Sequence, residues 1–172
     1  MTTTIYTIGH STRPIEEFLA ILDVFRIKKV ADVRTIAKSR HNPQFGEEAL
    51  SKSLTAHGIG YQRILALGGL RHTTAASVNT AWRNQSFRGY ADYMQTPAFA
   101  AGLEELLKMA QESRTVILCA EAVPWRCHRS LIGDALLVRG IQVEDIMSEK
   151  ASKPHGLTPW AQVDGKTITY PG

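Results

Sequence analysis

Apolar residues recur along this chain with two alternating periods. Thr4-Ile-Tyr-Thr-Ile8 is a short β-branched and aromatic run stopped by Gly9, and it predicts a first strand. Ser11, Thr12 and Pro14 then offer capping and first-turn chemistry for a helix. Its apolar positions Ile15, Phe18, Leu19, Leu22 and Phe25 follow the helical spacing. Val30-Ala-Asp-Val33 predicts a second strand. A polar loop containing Asn42-Pro43 leads to a helix over about 46–57, closed by Gly58. Residues 61–67 predict a third strand running into Gly68-Gly69. The Thr-, Ala- and Ser-rich stretch 72–84 has no clear period. Thr96-Pro97 opens a helix that buries Phe99, Leu103, Leu106, Leu107 and Ala110. Thr115-Val-Ile-Leu-Cys119 is the strongest strand signal. A helix from about 127 to 139 stops at Gly140, and residues 141–146 predict a fifth strand.

Strands alternating with helices of this length predict an α/β fold, a mainly parallel open sheet with helices on both faces. The tail differs. Residues 160–163 and 166–170 flank Asp164-Gly165 and predict a C-terminal β-hairpin. No internal repeat, low-complexity tract or linker interrupts the pattern. We expect a single α/β domain over 1–172, with the hairpin as an extension over about 157–172.

Composition narrows the class without naming a function. At 172 residues, 44% hydrophobic and 21% charged, the chain has ordinary globular usage. No apolar run approaches the ~20 residues of a membrane span. The first ten residues lack the basic start and long apolar stretch of a secretion signal, so a cytoplasmic location is expected. In that reducing compartment the two cysteines, Cys119 and Cys127, are not expected to form a structural disulfide. Twenty Lys and Arg against sixteen Asp and Glu give a mild basic bias compatible with an anionic partner.

In open parallel sheets ligands bind beyond the carboxyl ends of the strands, so the polar residues just after each strand carry the information. Gly9, His10, Ser11 and Arg13 follow the first strand. Asp32, Arg34, Lys38, Arg40 and His41 follow the second, and Gly68, Gly69, Arg71 and His72 the third. Cys119, Glu121, Arg126, Cys127, His128 and Arg129 follow the fourth. Guanidinium groups at one sheet edge suit a phosphate or carboxylate, although loops are polar in any protein.

The segment Cys119-Ala-Glu-Ala-Val-Pro-Trp-Arg-Cys-His-Arg129 is the richest of these. Cys127, His128 and Arg129 open a helix, where free N–H groups and neighbouring arginines stabilise a thiolate. Three chemistries fit. One thiolate could be a nucleophile, with His128 or His10 as proton carrier and Glu121 as orienter or acid. The two cysteines could exchange with a disulfide, although their spacing departs from C-x-x-C. Cys119, Cys127 and a histidine could hold a metal, although C-x7-C-H is not a standard zinc spacing. The segment does not fit the C-x5-R phosphatase loop, because Trp125 stands six residues after Cys119. Against all three, free cysteines are commonly small core residues. The other signals are weaker. His10 is as readily a packed residue as a base, and Asp32 reads as a structural partner of Arg34. Gly68-Gly69 reads as a tight strand exit. The aromatics of Phe87-Arg-Gly-Tyr-Ala-Asp-Tyr93 could stack a base or sugar, but at helical spacing they read rather as core, with Arg88 an outside candidate.

Taken together, Thr7-Ile-Gly-His-Ser11, Asp32-Val-Arg34, Asn42-Pro-Gln-Phe45, Leu67-Gly-Gly69, Phe87-Arg-Gly-Tyr-Ala-Asp-Tyr93 and Cys119-Ala-Glu…Cys127-His-Arg129 resemble the domain-of-unknown-function 488 family from about residue 5 to 146. The resemblance implies a bacterial or archaeal cytoplasmic α/β protein and no settled reaction. Two positions depart from the family pattern. Ala66 stands where an acidic residue is usual, and Asp145 where a histidine is.

The reading that follows is an enzyme acting on a phosphate-bearing ligand, a nucleotide or nucleic acid. Cys127 or Cys119 would be the reactive thiol, His128, His10 and Glu121 the proton-handling groups. Arg34, Arg71, Arg126, Arg129 and Ser11 would hold the anion. The alternatives are a non-catalytic nucleic-acid or anion-binding module and a Cys/His metal-binding protein. No cofactor is indicated.

Overall fold

Alternation of side chains along the predicted strands decides which helices pack on which face. In a computed structural model of the chain, residues 3–38, 40–69, 71–121 and 127–172 are described. Strands β1 (Thr4–Gly9), β2 (Lys29–Asp32), β3 (Gly60–Arg63), β4 (Thr115–Cys119) and β5 (Gln142–Ser148) run parallel in the order β3-β2-β4-β1-β5. Strand β6 (Ala151–Pro154) adds antiparallel beside β5. Tyr6, Ile8, Val30, Val116 and Leu118 point to one face and meet helices α1 (Ile15–Val24) and α2 (Glu47–Ala56). Ile5, Ala31, Ile117 and Cys119 point to the other and meet α3 (Gln85–Tyr93), α4 (Pro97–Glu112) and α5 (Arg129–Leu137). The α/β expectation with helices on both faces therefore holds. Among the described residues no helix is long and apolar enough to cross a membrane.

The connections explain where a cleft opens. From β1 the chain crosses by α1 to β2, past β4; from β4 it crosses by α5 to β5, past β1. Adjacent strands β1 and β4 thus send their chains to opposite faces and opposite sides. That is the switch point at which open α/β sheets leave room for a ligand.

Local chemistry corrects several expectations. Ser11 and Thr12 do not cap α1, which starts after Pro14 without a side-chain cap bond. Ser11 instead turns the chain in a left-handed conformation, φ 52°, with its N–H bonded to the Ala120 carbonyl at 2.9 Å. The third strand ends at Arg63, because Leu65–Leu67 form a 3₁₀ turn. With three residues per turn, Ile64 and Leu67 both reach the core while Leu65 is left exposed. Helix α3 lacks a predicting apolar run. It begins because Asn84 Oδ1 accepts the N–H groups of Ser86 at 2.8 Å and Phe87 at 3.3 Å. The aperiodic stretch before it is organised by Asp92, which accepts from the hydroxyls of Thr73 and Ser77 and the amide of Asn79. In the C-terminal hairpin β7 (Gln162–Asp164) and β8 (Thr167–Thr169), Asp164 pairs with Thr167. The turn is therefore Gly165-Lys166, one residue later than expected. Gly165 takes the positive φ of 62° at the first turn position, where glycine costs least.

The tail is held by a buried polar cluster. His155 Nδ1 lies 2.9 Å from Asp145 and its Nε2 3.0 Å from Asp134. Thr158 and Tyr170 donate their hydroxyls to Asp134 at 2.6 and 2.8 Å, and Thr7 donates to Asp145 at 2.5 Å. Burial lowers the pKa of His155, but the two carboxylates outweigh it and raise it from 6.5 to about 9. Since the folded value lies above the unfolded one, this contribution is complete below pH 6.5 and is lost as pH rises through about 9. Denaturant unfolding should show wild-type stability falling by about 3 kcal/mol across that window. His155→Gln should flatten the slope. An equal slope in the variant would assign the dependence to another group.

Candidate functional site

Strand register brings the candidate residues together. Gly9 pairs with Cys119 across β1 and β4, and the two chains continue side by side through His10 N–H to Cys119 O and Ser11 N–H to Ala120 O, both 2.9 Å. On the other side of β4, Val33 N–H bonds to Leu118 O at 3.1 Å, which carries Arg34 to the same edge. Helix α5 starts above this edge and brings Cys127, His128 and Arg129 over Cys119. Gly9 is required by that approach. A Cβ there would overlap the Glu121 carbonyl and stand 2.7 Å from Arg129 Nη1.

The two cysteines, separated by seven residues, meet directly: Cys127 Sγ is 2.8 Å from Cys119 Sγ. No disulfide joins them, and both are buried. Arg129, with no exposure to solvent, donates from Nη1 to Cys119 Sγ at 2.7 Å and also to the Glu121 carbonyl. Its backbone N–H points at Cys127 Sγ, 3.5 Å away. Burial alone would raise the Cys119 thiol, but the hydrogen bond from Cys127 and the Arg129 guanidinium together hold it below the ordinary thiol value. Cys127 is driven the other way, first by the proton it shares with Cys119 and then by burial. Of the two sulfurs, Cys119 is thus the one favoured to carry negative charge and Cys127 the one favoured to keep its proton.

Two imidazoles flank the sulfurs. His10 Nδ1 lies 2.7 Å from the Ser11 carbonyl, and its ring stacks on Phe45 with centroids 4.3 Å apart. His128 Nε2 lies 3.0 Å from the Val33 carbonyl, and its Nδ1 is 3.6 Å from Cys127 Sγ. A carbonyl only accepts, so each neutral ring carries its proton on the nitrogen facing the carbonyl. That leaves His10 Nε2 and His128 Nδ1 as accepting nitrogens. Burial lowers both histidines, His128 to about 4, so both are uncharged near neutrality. Gly69 makes room for this ring, since a Cβ would sit 3.2 Å from His128 Nδ1.

A cavity of about 350 Å³ opens onto the sulfurs. Cys119, Cys127, His10, His128 and Glu121 all line it, so the five residues expected to do chemistry converge. Glu121 meets Arg129 through its backbone carbonyl rather than its carboxylate. The expected anion holders do not converge. Arg34 lines the cavity, but its Nε and Nη2 are paired with Asp32 at 2.9 and 2.7 Å, and its Nη1 with the Phe45 carbonyl at 2.6 Å. Asp32 therefore cancels its charge, with Tyr61 completing the cluster at 2.6 Å. Arg71 is turned to the Gly68 and Leu65 carbonyls and stacks on Tyr93, with its guanidinium carbon 3.7 Å from the ring centre. Ser11, Arg71 and Arg129 lie outside the cavity lining, and Arg126 lies outside the described residues.

Sequence reasoning picked out only part of the rest of the lining. Thr35, Ile36 and Lys38 come from the loop after β2, and Ser86, Phe87 and Tyr90 from α3. The aromatic motif was read as core, and Tyr90 is buried, yet its ring also packs on His128 with centroids 4.9 Å apart. The signals for these residues were Lys38 and Gly69 among the polar residues after the strands, and the stacking option of the 87–93 aromatics. Among the described residues no group of three or more His, Cys, Asp or Glu is arranged to hold a metal ion.

A family model described as Domain of unknown function DUF488 matches residues 14–136. No curated protein and no solved structure matches the chain.

Ultraviolet titration of the thiolate band should give a midpoint below the ordinary thiol range of roughly 8.5. Arg129→Gln should move it upward by at least about one pH unit. An unmoved midpoint in a folded variant would mean that Arg129 does not stabilise the thiolate.

Proposed function

The chain belongs to the family described as Domain of unknown function DUF488, and because that description names no reaction, we propose from the site itself that the protein is a thiol-dependent enzyme acting on a small phosphate-bearing ligand. The observation that carries this reading is the Cys119 sulfur, held 2.7 Å from a buried guanidinium and 2.8 Å from a second thiol at the base of a cavity. A buried thiol serving only as packing gains nothing from an arginine, and a fully buried arginine is costly unless it faces negative charge. The arrangement favours the thiolate form of a nucleophile.

In this reading Cys119 attacks an electrophilic centre and the leaving group departs with the bonding electrons. Water then attacks the thiol-bound group while His10 Nε2 takes its proton, and Cys119 departs again as thiolate. Phe87 and Tyr90 face the apolar part of the ligand, and Lys38 faces its anionic end. A volume of about 350 Å³ suits a nucleotide-sized molecule rather than a duplex. The alternative of a nucleic-acid-binding module is less favoured, because Arg34, Arg71 and Arg129 spend their donors inside the protein.

Iodoacetamide labelling followed by peptide mapping tests both parts. Cys119 should be the labelled residue, and its rate should follow the thiolate titration. Within a panel of nucleotides, sugar phosphates and inorganic phosphate, a phosphate-bearing compound should protect it. Lys38→Ala should weaken that protection roughly tenfold, about 1.4 kcal/mol. A native protein that resists labelling would remove the nucleophile, and labelling without protection by any of the panel would remove the phosphate-bearing ligand.

A further inference from the structure

Two thiols in one cavity can do more than one thiol can. We infer that Cys119 and Cys127 form a reversible dithiol–disulfide couple that exchanges with small-molecule disulfides through the same cavity. The inference rests on the reading of Cys119 as a thiolate nucleophile and adds a redox reaction to it. Three placements carry it. The sulfurs are 2.8 Å apart, within about 0.8 Å of the ~2.05 Å disulfide bond. Both line the open cavity, so an incoming disulfide reaches them without unfolding the sheet. The chain is asymmetric around them. Cys119 ends β4 and is fixed by the ladder to β1, whereas Cys127 precedes α5 and is outside the sheet. The fixed sulfur faces Arg129, and the other is beside His128 Nδ1 at 3.6 Å. These are the positions of an attacking and a resolving thiol.

The exchange balances with a disulfide RSSR as the oxidant. Cys119 thiolate attacks one sulfur, the Cys119–SR bond forms, and the R–S–S–R bond breaks to release RS⁻. Cys127 gives up its proton by way of His128 Nδ1, and the proton passes to the released thiolate to make RSH. The Cys127 sulfur then attacks Cys119, forms the internal disulfide and expels the second RS⁻. The protein pair loses two electrons and one proton, and RSSR becomes one RSH and one RS⁻. Oxidation also removes the anion that faces Arg129. The internal disulfide is therefore the less favoured partner of that guanidinium, and the equilibrium lies toward the dithiol. Formation of the bond silences Cys119 as a nucleophile, so one event couples redox state to the proposed activity.

The purified full chain should be equilibrated in oxidised and reduced glutathione at graded ratios, quenched with an alkylating agent and weighed intact. The wild type should lose two hydrogens, take no alkyl group, remain monomeric by non-reducing gel, and yield one peptide pair linked through Cys119 and Cys127. Cys127→Ser should stall with one glutathione on Cys119, and Arg129→Gln should reach half-oxidation at a glutathione ratio about tenfold more reducing. A wild type that accumulates the glutathione adduct, links between chains, or stays reduced at every ratio overturns the couple. If Cys119 still labels with iodoacetamide in that case, the nucleophile stands and only the redox step falls. If it labels in neither experiment, both readings fall.

Discussion

A guanidinium sealed from water must face negative charge, and Arg129 meets it in the sulfur of Cys119. Much of the site follows from satisfying this one contact. Gly9 has no side chain because the Glu121 carbonyl and the Arg129 guanidinium occupy that space. The Glu121 carbonyl turns inward to take a second Arg129 N–H. Cys127 keeps its proton because the neighbouring sulfur is the better place for charge. Electrostatics and close packing are therefore the same constraint here, and a change in either disturbs the other.

The site is also a consequence of topology. Chains leaving β1 and β4 in opposite directions leave a gap above their carboxyl ends. Residues just after β1 and β2, at and after the end of β4, and just before α5 line it, and α3 supplies a wall. A second buried ionic cluster, Asp134-His155-Asp145, lies apart from the thiols and ties the tail to α5 and β5. In it Asp145, expected to differ from the resembled family, is given a partner of its own. The carboxylate here accepts from an imidazole supplied ten residues later.

Much of the fold was legible because strong local signals agreed with tertiary demand. The run 115–119 is a strand in both readings, and Thr96-Pro97 opens α4 as expected, with Thr96 accepting the Phe99 N–H. Failures occurred where a side chain rather than periodicity set the structure, as with Asn84 at α3 and Gly165 at the hairpin turn. The candidate site was legible in part for the same reason. Polar residues after strands mark the edge of a parallel sheet, so sequence order alone places His10, Arg34, Cys119 and Cys127 at one cleft. Their partners could not, because hydrogen-bond geometry is invisible to spacing.

That distinction settles what each level determined. The order of apolar runs determined an α/β sheet, and the polar residues after its strands marked the edge at which Cys119 and Cys127 meet. Only the tertiary structure decided which arginine does what. Arg34 turned to Asp32, Arg71 to carbonyls and Tyr93, and Arg129 to a sulfur, because each guanidinium pairs with whatever acceptor the packed chain puts within about 3 Å. Sequence reports how many charges an edge holds. It does not report how many are already cancelled, since cancellation depends on neighbours that are distant along the chain.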